Sequence, residues 1–480
     1  MKSRYKKDYL QYDLVCGITT GIIAIPQGMA NALMANLPPV YGLYGAIMPV
    51  FIHSLFTTSS QLHVGPYAVT SIMCASTLSF LDFESQREEY IGSILMIAVI
   101  SGVFLSLLSF LRLGVITRVL SNAVVTGFTA ASAIQIISSQ LGGFWDVRSG
   151  SGSSIHQLLH LFSPSVIAQF NWYAFAIGVI SSVLLYAGKQ LNKKYCPTTP
   201  IPLELGIVIL FILLTYFCDL KEKWHIKIIG DYDVVKGFPP FSIPLPTHTL
   251  RILPGSLMIS IICFSTQVSL GKSFAQQFQY RLDANQELLA LGMSQFGGAF
   301  FSSLPGSASI SRSSVVASIG GKSPVFSLLS PLVVLVCLFF FMDWIAYLPN
   351  SVLVTVVIVN LIGMLKRFAQ LKRFYQCCKP DFWSFVICTI VLVFFGAEYG
   401  LIAGVLTSLG LLLLTIKTLP PEQKISDLPP DNSERKVVKA GQTFHFLNCD
   451  YVVREVEKEV HTVSNLLYHD HTLSDHPFLL

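Results

Sequence analysis

Charge is what this sequence has least of. Only 12% of its 480 residues are Asp, Glu, Lys or Arg, about half the usual share in a soluble domain and too little to solvate one globular body. Cysteine is sparse: ten in 480 residues, with no CxxC pair, which excludes a disulfide scaffold and a zinc knuckle. The histidines never fall in an HExxH spacing, and the GKS triplets at 271–273 and 321–323 lack the earlier glycine of a phosphate loop. Short GxS-type fragments lack the strand, turn and helix that a nucleophile elbow requires. These absences argue against an enzyme, a metal site, a cofactor or a nucleic-acid partner. The first residues, MKSRYKKDYL, are basic, and no short apolar core with a small-residue cleavage site follows, so no signal peptide is expected.

Apolar residues are what the chain does have: 52% of it, with 34 Phe and a mean hydropathy of +0.60. Runs such as LGIVILFILLTYF and PLVVLVCLFFF are continuous, whereas an outer-membrane strand alternates over about ten residues. The chain therefore reads as an all-α polytopic membrane protein, each crossing needing roughly 20 apolar residues. Fourteen transmembrane segments are expected, at 14–33, 38–57, 65–79, 91–110, 115–138, 172–188, 202–218, 253–270, 286–303, 308–319, 325–342, 350–365, 382–396 and 398–416. A basic N-terminus faces the cytoplasm under the positive-inside rule, and fourteen crossings return the C-terminus to the same side. Arg112, Lys189, Lys272, Lys322 and the basic cluster at 366–379 then fall in cytoplasmic loops. Beyond Pro420 the long apolar runs stop, and residues 421–480 hold 10 acids against 6 Lys or Arg. Three parts follow: a cytoplasmic N-terminus at 1–13, a membrane domain at 14–416 and a cytoplasmic tail at 417–480.

Two segments are too short to cross alone. In SSQLHVGPYAVTSIMCAS, Gly65-Pro66 precedes an apolar stretch that ends near Phe80; in FFSSLPGSASISRSSVVASIGGKSP, Pro305-Gly306 precedes one that ends at Gly320-Gly321. Proline suits the first turn of a helix, where no N–H is needed. Helices that start partway through a bilayer leave free N–H groups there, tolerated only where protein buries them or water reaches them. Paired broken helices, here the third and tenth segments, mark a transporter site at the midplane.

Free amides and the positive end of a helix dipole favour an anion. Arg312 lies in the second half-helix, and an ionisable group within a membrane segment is functional by default; pairing with an acid for structure is the alternative. Ser307, Ser309 and Ser311 offer hydroxyls, but alternate residues do not share a helix face, so Ser309 or Ser311 faces the ligand. Gln27 and Asn31, one turn apart beside Pro26, present two amides to one side. Tyr67 opens the first half-helix with an electropositive ring edge.

The stretches DLVCGITTGIIAIPQGMANALMANLPPVYGLYGAIMPVFIHSLFTTSSQLHVGPYAV and DANQELLALGMSQFGGAFFSSLPGSASISRSSV resemble two signature regions of the sulfate permease family, called solute carrier family 26 in animals. DYDVVKGFPPFSIPLP and LPNSVLVTVVIVNLIGM are also similar, and the resemblance runs over about residues 8–416. It implies a seven-plus-seven inverted repeat, a core and a gate domain, and a homodimer in the plasma membrane. It also implies exchange of sulfate, chloride, bicarbonate or oxalate by alternating access, with an anion channel of the same architecture as the alternative. On matching positions it implies an anion site of Gln27, Tyr67, Ser309, Ser311 and Arg312, with Asn31, Thr266 and Gln267 as site wall. The Asn31 position is usually aromatic in the family, so a roomier and more hydrophilic wall is expected. Thr266 holds a position where cation- or proton-coupled relatives carry a carboxylate, which favours exchange over symport. TFHFLNCDYVVREVEKEV is similar only to the opening strands of the family's cytoplasmic STAS domain, so the tail is expected to be an incomplete remnant.

Overall fold

The computed structural model describes residues 9–83, 85–112, 122–147, 153–195, 202–231, 236–244, 246, 248–377 and 379–417. The expected tail from residue 418 on, residues 1–8 and the start of the fifth expected segment (115–121) lie outside them. Hydrocarbon offers no partner to a backbone N–H or C=O, so the apolar runs satisfy these groups internally as helices.

The first helix, α1 (Tyr9–Met34), is followed by a short pair, α2 (Pro39–Gly45) and α3 (Met48–Phe56). One segment was expected at 38–57; the chain breaks at Ala46-Ile47, because Pro49 starts a new helix in the first turn of α3. Strand β1 (Val64–Pro66) leads into α4 (Ala68–Thr77), then α5 (Arg87–Phe110) and α6 (Asn122–Gln140). Short helices α7 (Ser154–Leu161) and α8 (Pro164–Ile167) connect to α9 (Trp172–Tyr195), α10 (Leu203–Cys218) and the small α11 (Leu220–Trp224). Next come α12 (Thr249–Gln277), α13 (Ala284–Ala299), strand β2 (Gly306–Ala308) and α14 (Ile310–Ile319). Helix α15 (Phe326–Val336) passes through a π-helical turn at Cys337–Phe341 into α16 (Met342–Ile345). The last helices are α17 (Asn350–Leu365), α18 (Gln370–Cys377), α19 (Lys379–Phe395) and α20 (Ala397–Lys417).

Eight helical stretches among the described residues are long and apolar enough to cross a membrane. Helices α4 and α14 are not: ten residues each make about 15 Å, half of the roughly 30 Å hydrocarbon. They are set head to head by β1 and β2, which pair antiparallel with Val64 opposite Ala308, Gly65 opposite Ser307 and Pro66 opposite Gly306. The crossing needs glycine on both strands. Gly65 has φ +152°, and a Cβ there would sit 2.9 Å from Arg312 Nη2; a Cβ on Gly306 would sit 2.4 Å from the Gly65 carbonyl oxygen. Around this crossing α1 packs on α2, α14, α15 and α17, while α12 packs on α4, α5 and β2.

One buried carboxyl lies just past the membrane helices. Asp146 follows the 3-10 turn Leu141–Trp145 with φ 54°. Its Oδ2 accepts from the Lys227 amide at 3.1 Å, and its carbonyl accepts from Lys227 Nζ at 2.8 Å. Burial pushes its pKa up from 3.8 to about 6, against a smaller lowering by Lys227. The folded state therefore holds this proton more tightly than the unfolded chain does. Its stabilisation is complete below the unfolded value and is lost as pH rises through about 6.

Two outcomes are expected. Gly306→Ala forces the β1–β2 crossing apart and lowers the thermal midpoint of the detergent-solubilised protein, an overpacking loss of roughly 1–3 kcal/mol; an unchanged midpoint contradicts the close-approach argument. Asp146→Asn, which keeps a residue type tolerant of positive φ, flattens the fall in unfolding midpoint between about pH 4 and about pH 7. An identical pH dependence in variant and parent contradicts the assignment to Asp146.

Candidate functional site

Helix α4 begins after Tyr67 and α14 after Ser309, and neither residue's side chain caps the first-turn N–H groups. Each helix thus presents unpaired donors and roughly half a positive charge at its start. The first residues of both, Ala68 and Ile310, line one cavity of about 240 Å³, room for about eight waters at roughly 30 Å³ each. Gln27 and Asn31 line it from α1, and Val356, Asn360 and Met364 from α17. Pro26 sits inside α1 beside Gln27, and lacks the N–H that would bond one turn back.

Arg312 is 1% exposed, among the largest fully buried side chains. It stands in the first turn of α14, where a cation opposes the helix dipole. Its guanidinium is held by neutral acceptors: Nε donates to His63 Nδ1 at 3.1 Å, Nη1 to Gln27 Oε1 at 3.1 Å and Nη2 to the Pro66 carbonyl at 3.4 Å. No carboxylate pairs with it among the described residues. Because His63 Nδ1 accepts, its hydrogen sits on Nε2, which donates to Ser330 Oγ at 2.9 Å. The strand crossing supports this arrangement: the Ser309 amide donates to the His63 carbonyl, and the His63 amide donates to Ser313 Oγ, each at 3.0 Å.

Gln27 faces two ways. Its carbonyl oxygen takes Arg312, while Nε2 donates to Glu204 Oε2 at 3.2 Å and to Ser311 Oγ at 3.4 Å. Glu204 Oε1 accepts from Lys189 Nζ at 2.8 Å, and Lys189 also donates to Asn360 Oδ1 at 2.7 Å. A polar chain thus runs from α9 through α10 and α1 to α14, ending in an arginine that no acid touches directly.

The structure brings Gln27, Asn31, Tyr67, Ser309, Ser311 and Arg312 to the cavity. Asn31 Nδ2 donates to the Pro66 carbonyl at 2.9 Å, so one of its donors is committed to the strand crossing. Ser309 and Ser311 pair with each other at 3.3 Å, whereas Ser307 turns away to the Cys263 carbonyl at 2.9 Å. Thr266 and Gln267 are not among the lining residues. Thr266 engages the Tyr67 phenol. Gln267 Nε2 donates to Glu287 Oε2 at 2.9 Å and meets His53 Nε2 at the same distance. Glu287 Oε1 in turn accepts from Thr57 Oγ1 and from the Thr58 amide and hydroxyl. That amide serves packing between α3, α12 and α13.

Sequence reasoning missed Glu204, Lys189, Asn360, His63 and Arg367. Glu204 carried a usable signal, an acid inside the apolar run LELGIVIL. Lys189 and Arg367 carried none beyond the cytoplasmic charge bias, yet Arg367 lines the cavity beside Met364.

The sulfate permease family model matches residues 10–390. Human solute carrier family 26 member 6 is 30% identical, over 93% of this chain and 62% of its own length. The chloroplastic sulfate transporter 4.1 of Arabidopsis thaliana is 31% identical, over 85% of this chain and 58% of its own length. The chain therefore spans about three fifths of these relatives. The murine Slc26a9 anion transporter in its inward-facing state superposes with a TM-score of 0.80 at 27% identity, over 88% of this chain and 70% of that one. The transmembrane domain of a cyanobacterial bicarbonate transporter, BicA, shares the fold alone: TM-score 0.70 at 18% identity, over 85% of this chain and 99% of that one. With the family model matched along most of the membrane region and the solved folds in agreement, the chain belongs to the sulfate permease family.

Proposed function

We propose that this chain is a secondary-active anion exchanger, moving sulfate, chloride, bicarbonate or oxalate by alternating access, with the cavity between α4 and α14 as its binding site. One observation carries the reading: a buried guanidinium held only by neutral acceptors, where two uncapped helix N-termini meet. A buried ion without a counter-charge costs several kcal/mol, and an anion entering the cavity offsets that cost. The names of two relatives, an anion transporter and a sulfate transporter, support the same substrate class.

Each site residue then has a task. Backbone amides of α4 and α14 and the hydroxyls of Ser309 and Ser311 donate to the anion. Arg312 supplies potential from behind, while Gln27 holds its guanidinium in place. Tyr67 and Asn31 form the wall, Asn31 leaving space for a polyatomic or hydrated anion. Donors without several full charges bind modestly, which suits a carrier that must release its load. The empty site leaves Arg312 only partly compensated, through Gln27 and Glu204, which disfavours crossing unloaded and makes exchange the natural cycle. Thr266, which reaches the cavity only through Tyr67, is not a carboxylate, and this supports exchange over cation symport.

The architecture that accompanies this function is fourteen segments in a seven-plus-seven inverted repeat, with a mobile core beside a gate. The membrane domain covers 14–416, between a cytoplasmic N-terminus (1–13) and a cytoplasmic tail (417–480) with an incomplete STAS-like sequence. The protein works as a homodimer in the plasma membrane with both termini cytoplasmic. On this reading the Gln27–Glu204 bond joins core to gate and breaks as the core moves.

The decisive assay is radiolabelled sulfate uptake into proteoliposomes loaded with chloride, bicarbonate or oxalate, with membrane potential clamped. Uptake is expected to saturate and to require an internal anion; a large conductance independent of internal anion contradicts exchange. Arg312→Glu, at matched protein incorporation, reduces uptake to that of protein-free liposomes, and wild-type uptake in that variant removes Arg312 from the mechanism. Thr266→Glu introduces a pH dependence of uptake, whereas a pH profile identical to the parent's contradicts the coupling argument.

A further inference from the structure

A second cavity, of about 460 Å³, shares helix α1 with the anion cavity but none of its polarity. On α1, Gln27 and Asn31 line the first cavity and Ile22 and Ile25 the second. On α10, Glu204 reaches Gln27, while Val208, Ile209 and Ile212 line the second cavity. Further wall comes from Val333, Val336, Cys337 and Phe341 of α15 and its π turn, and from Trp344 and Ile345 of α16. All thirteen lining residues are apolar. A π turn widens a helix locally and recurs at functional sites; here it sets Cys337 and Phe341 on the cavity wall.

The position says what fills this space. Its deep wall is closed, with Ile25, Val208, Ile212 and Cys337 buried, while Ile209, Val336 and Phe341 at the mouth are about half exposed. Those mouth residues belong to apolar membrane helices, so the cavity is continuous with the surface that bilayer hydrocarbon already covers. At one end stands Trp344, 5.6 Å from Tyr216, which is 5.2 Å from Tyr347, an aromatic cluster of the kind found at headgroup depth. The neighbouring Asp343 pairs with Lys236 at 2.6 Å, which marks the water side.

Water has no partner in such a space: an apolar cavity of about 150 Å³ stays dry and takes up benzene, and this one is about three times larger. Left empty, its lining forfeits dispersion contacts along the whole wall. We propose that one acyl chain of a bilayer phospholipid occupies this cavity, entering between α10 and α15 with its headgroup at the Trp344–Tyr216–Tyr347 cluster. The chain lies between α10 on one side and α1 with α15 on the other. It thereby props the spacing across which Gln27 reaches Glu204.

The test uses the full chain in phosphatidylcholine vesicles containing a minor fraction of phosphatidylcholine with a diazirine on its acyl chain. After irradiation, the adducts are mapped by peptide mass spectrometry. Adducts on Val208, Ile212 or Cys337 are expected, since lipid on the outer surface does not reach these buried residues. Adducts confined to exposed positions such as Leu214, Phe217 and Phe340 overturn the proposal. Val208→Phe fills the cavity, so the wall adducts drop to the unirradiated control while those on Phe340 persist; undiminished wall adducts in that variant also overturn it.

Discussion

A full positive charge sits where protein and bilayer both disfavour it, and the local architecture is arranged around that fact. Arg312 lies in the first turn of a ten-residue helix too short to cross a bilayer, 1% exposed and against the dipole. Three neutral acceptors hold it, and each depends on a different local feature. The Pro66 carbonyl is available because β1 crosses β2 before α4 begins, His63 arrives on the residues leading into β1, and Gln27 comes from α1 beside its proline. Gly65 leaves the gap through which the guanidinium passes. A side chain there would meet Arg312 before any ligand did.

Two buried acids, Glu287 and Glu204, have separate work. Glu287 is enclosed by Thr57, Thr58 and Gln267, which satisfy both its oxygens and tie three helices together. Glu204 shares its oxygens between a half-exposed lysine and Gln27, at the boundary between α10 and α1. A carboxylate two hydrogen bonds from Arg312 tempers the positive potential without cancelling it. That balance suits a site that must bind an anion and then let it go. Gln27 is the link, since its amide accepts from the cation through Oε1 and donates to the anion through Nε2.

Much of this was legible in the sequence, and the remainder has physical reasons for being hidden. The half-helices could be read because proline and glycine punctuate apolar stretches too short to cross, and Arg312 because a charge in such a stretch has few alternatives. Gln27 and Asn31 could be read from their one-turn spacing. Their partners could not: Glu204 lies 177 positions from Gln27 and His63 lies 249 from Arg312, distances over which a single sequence carries no contact signal. Adjacent residues on α12 also look alike in sequence, yet Thr266 engages Tyr67 while Gln267 turns toward Glu287. Helix rotation decides between those neighbours, and composition does not encode it. The π turn after α15 falls in an unbroken apolar run, where no residue announces it.

The central claim is a location, so the most direct measurement is one that locates the anion. Anomalous difference density from crystals of the full chain grown with selenate or bromide would do this. The account predicts a single dominant peak within hydrogen-bonding reach of the first-turn amides of α4 and α14, beside Ser309 and Ser311 and in front of Arg312. A dominant peak elsewhere, with that cavity vacant, would contradict it.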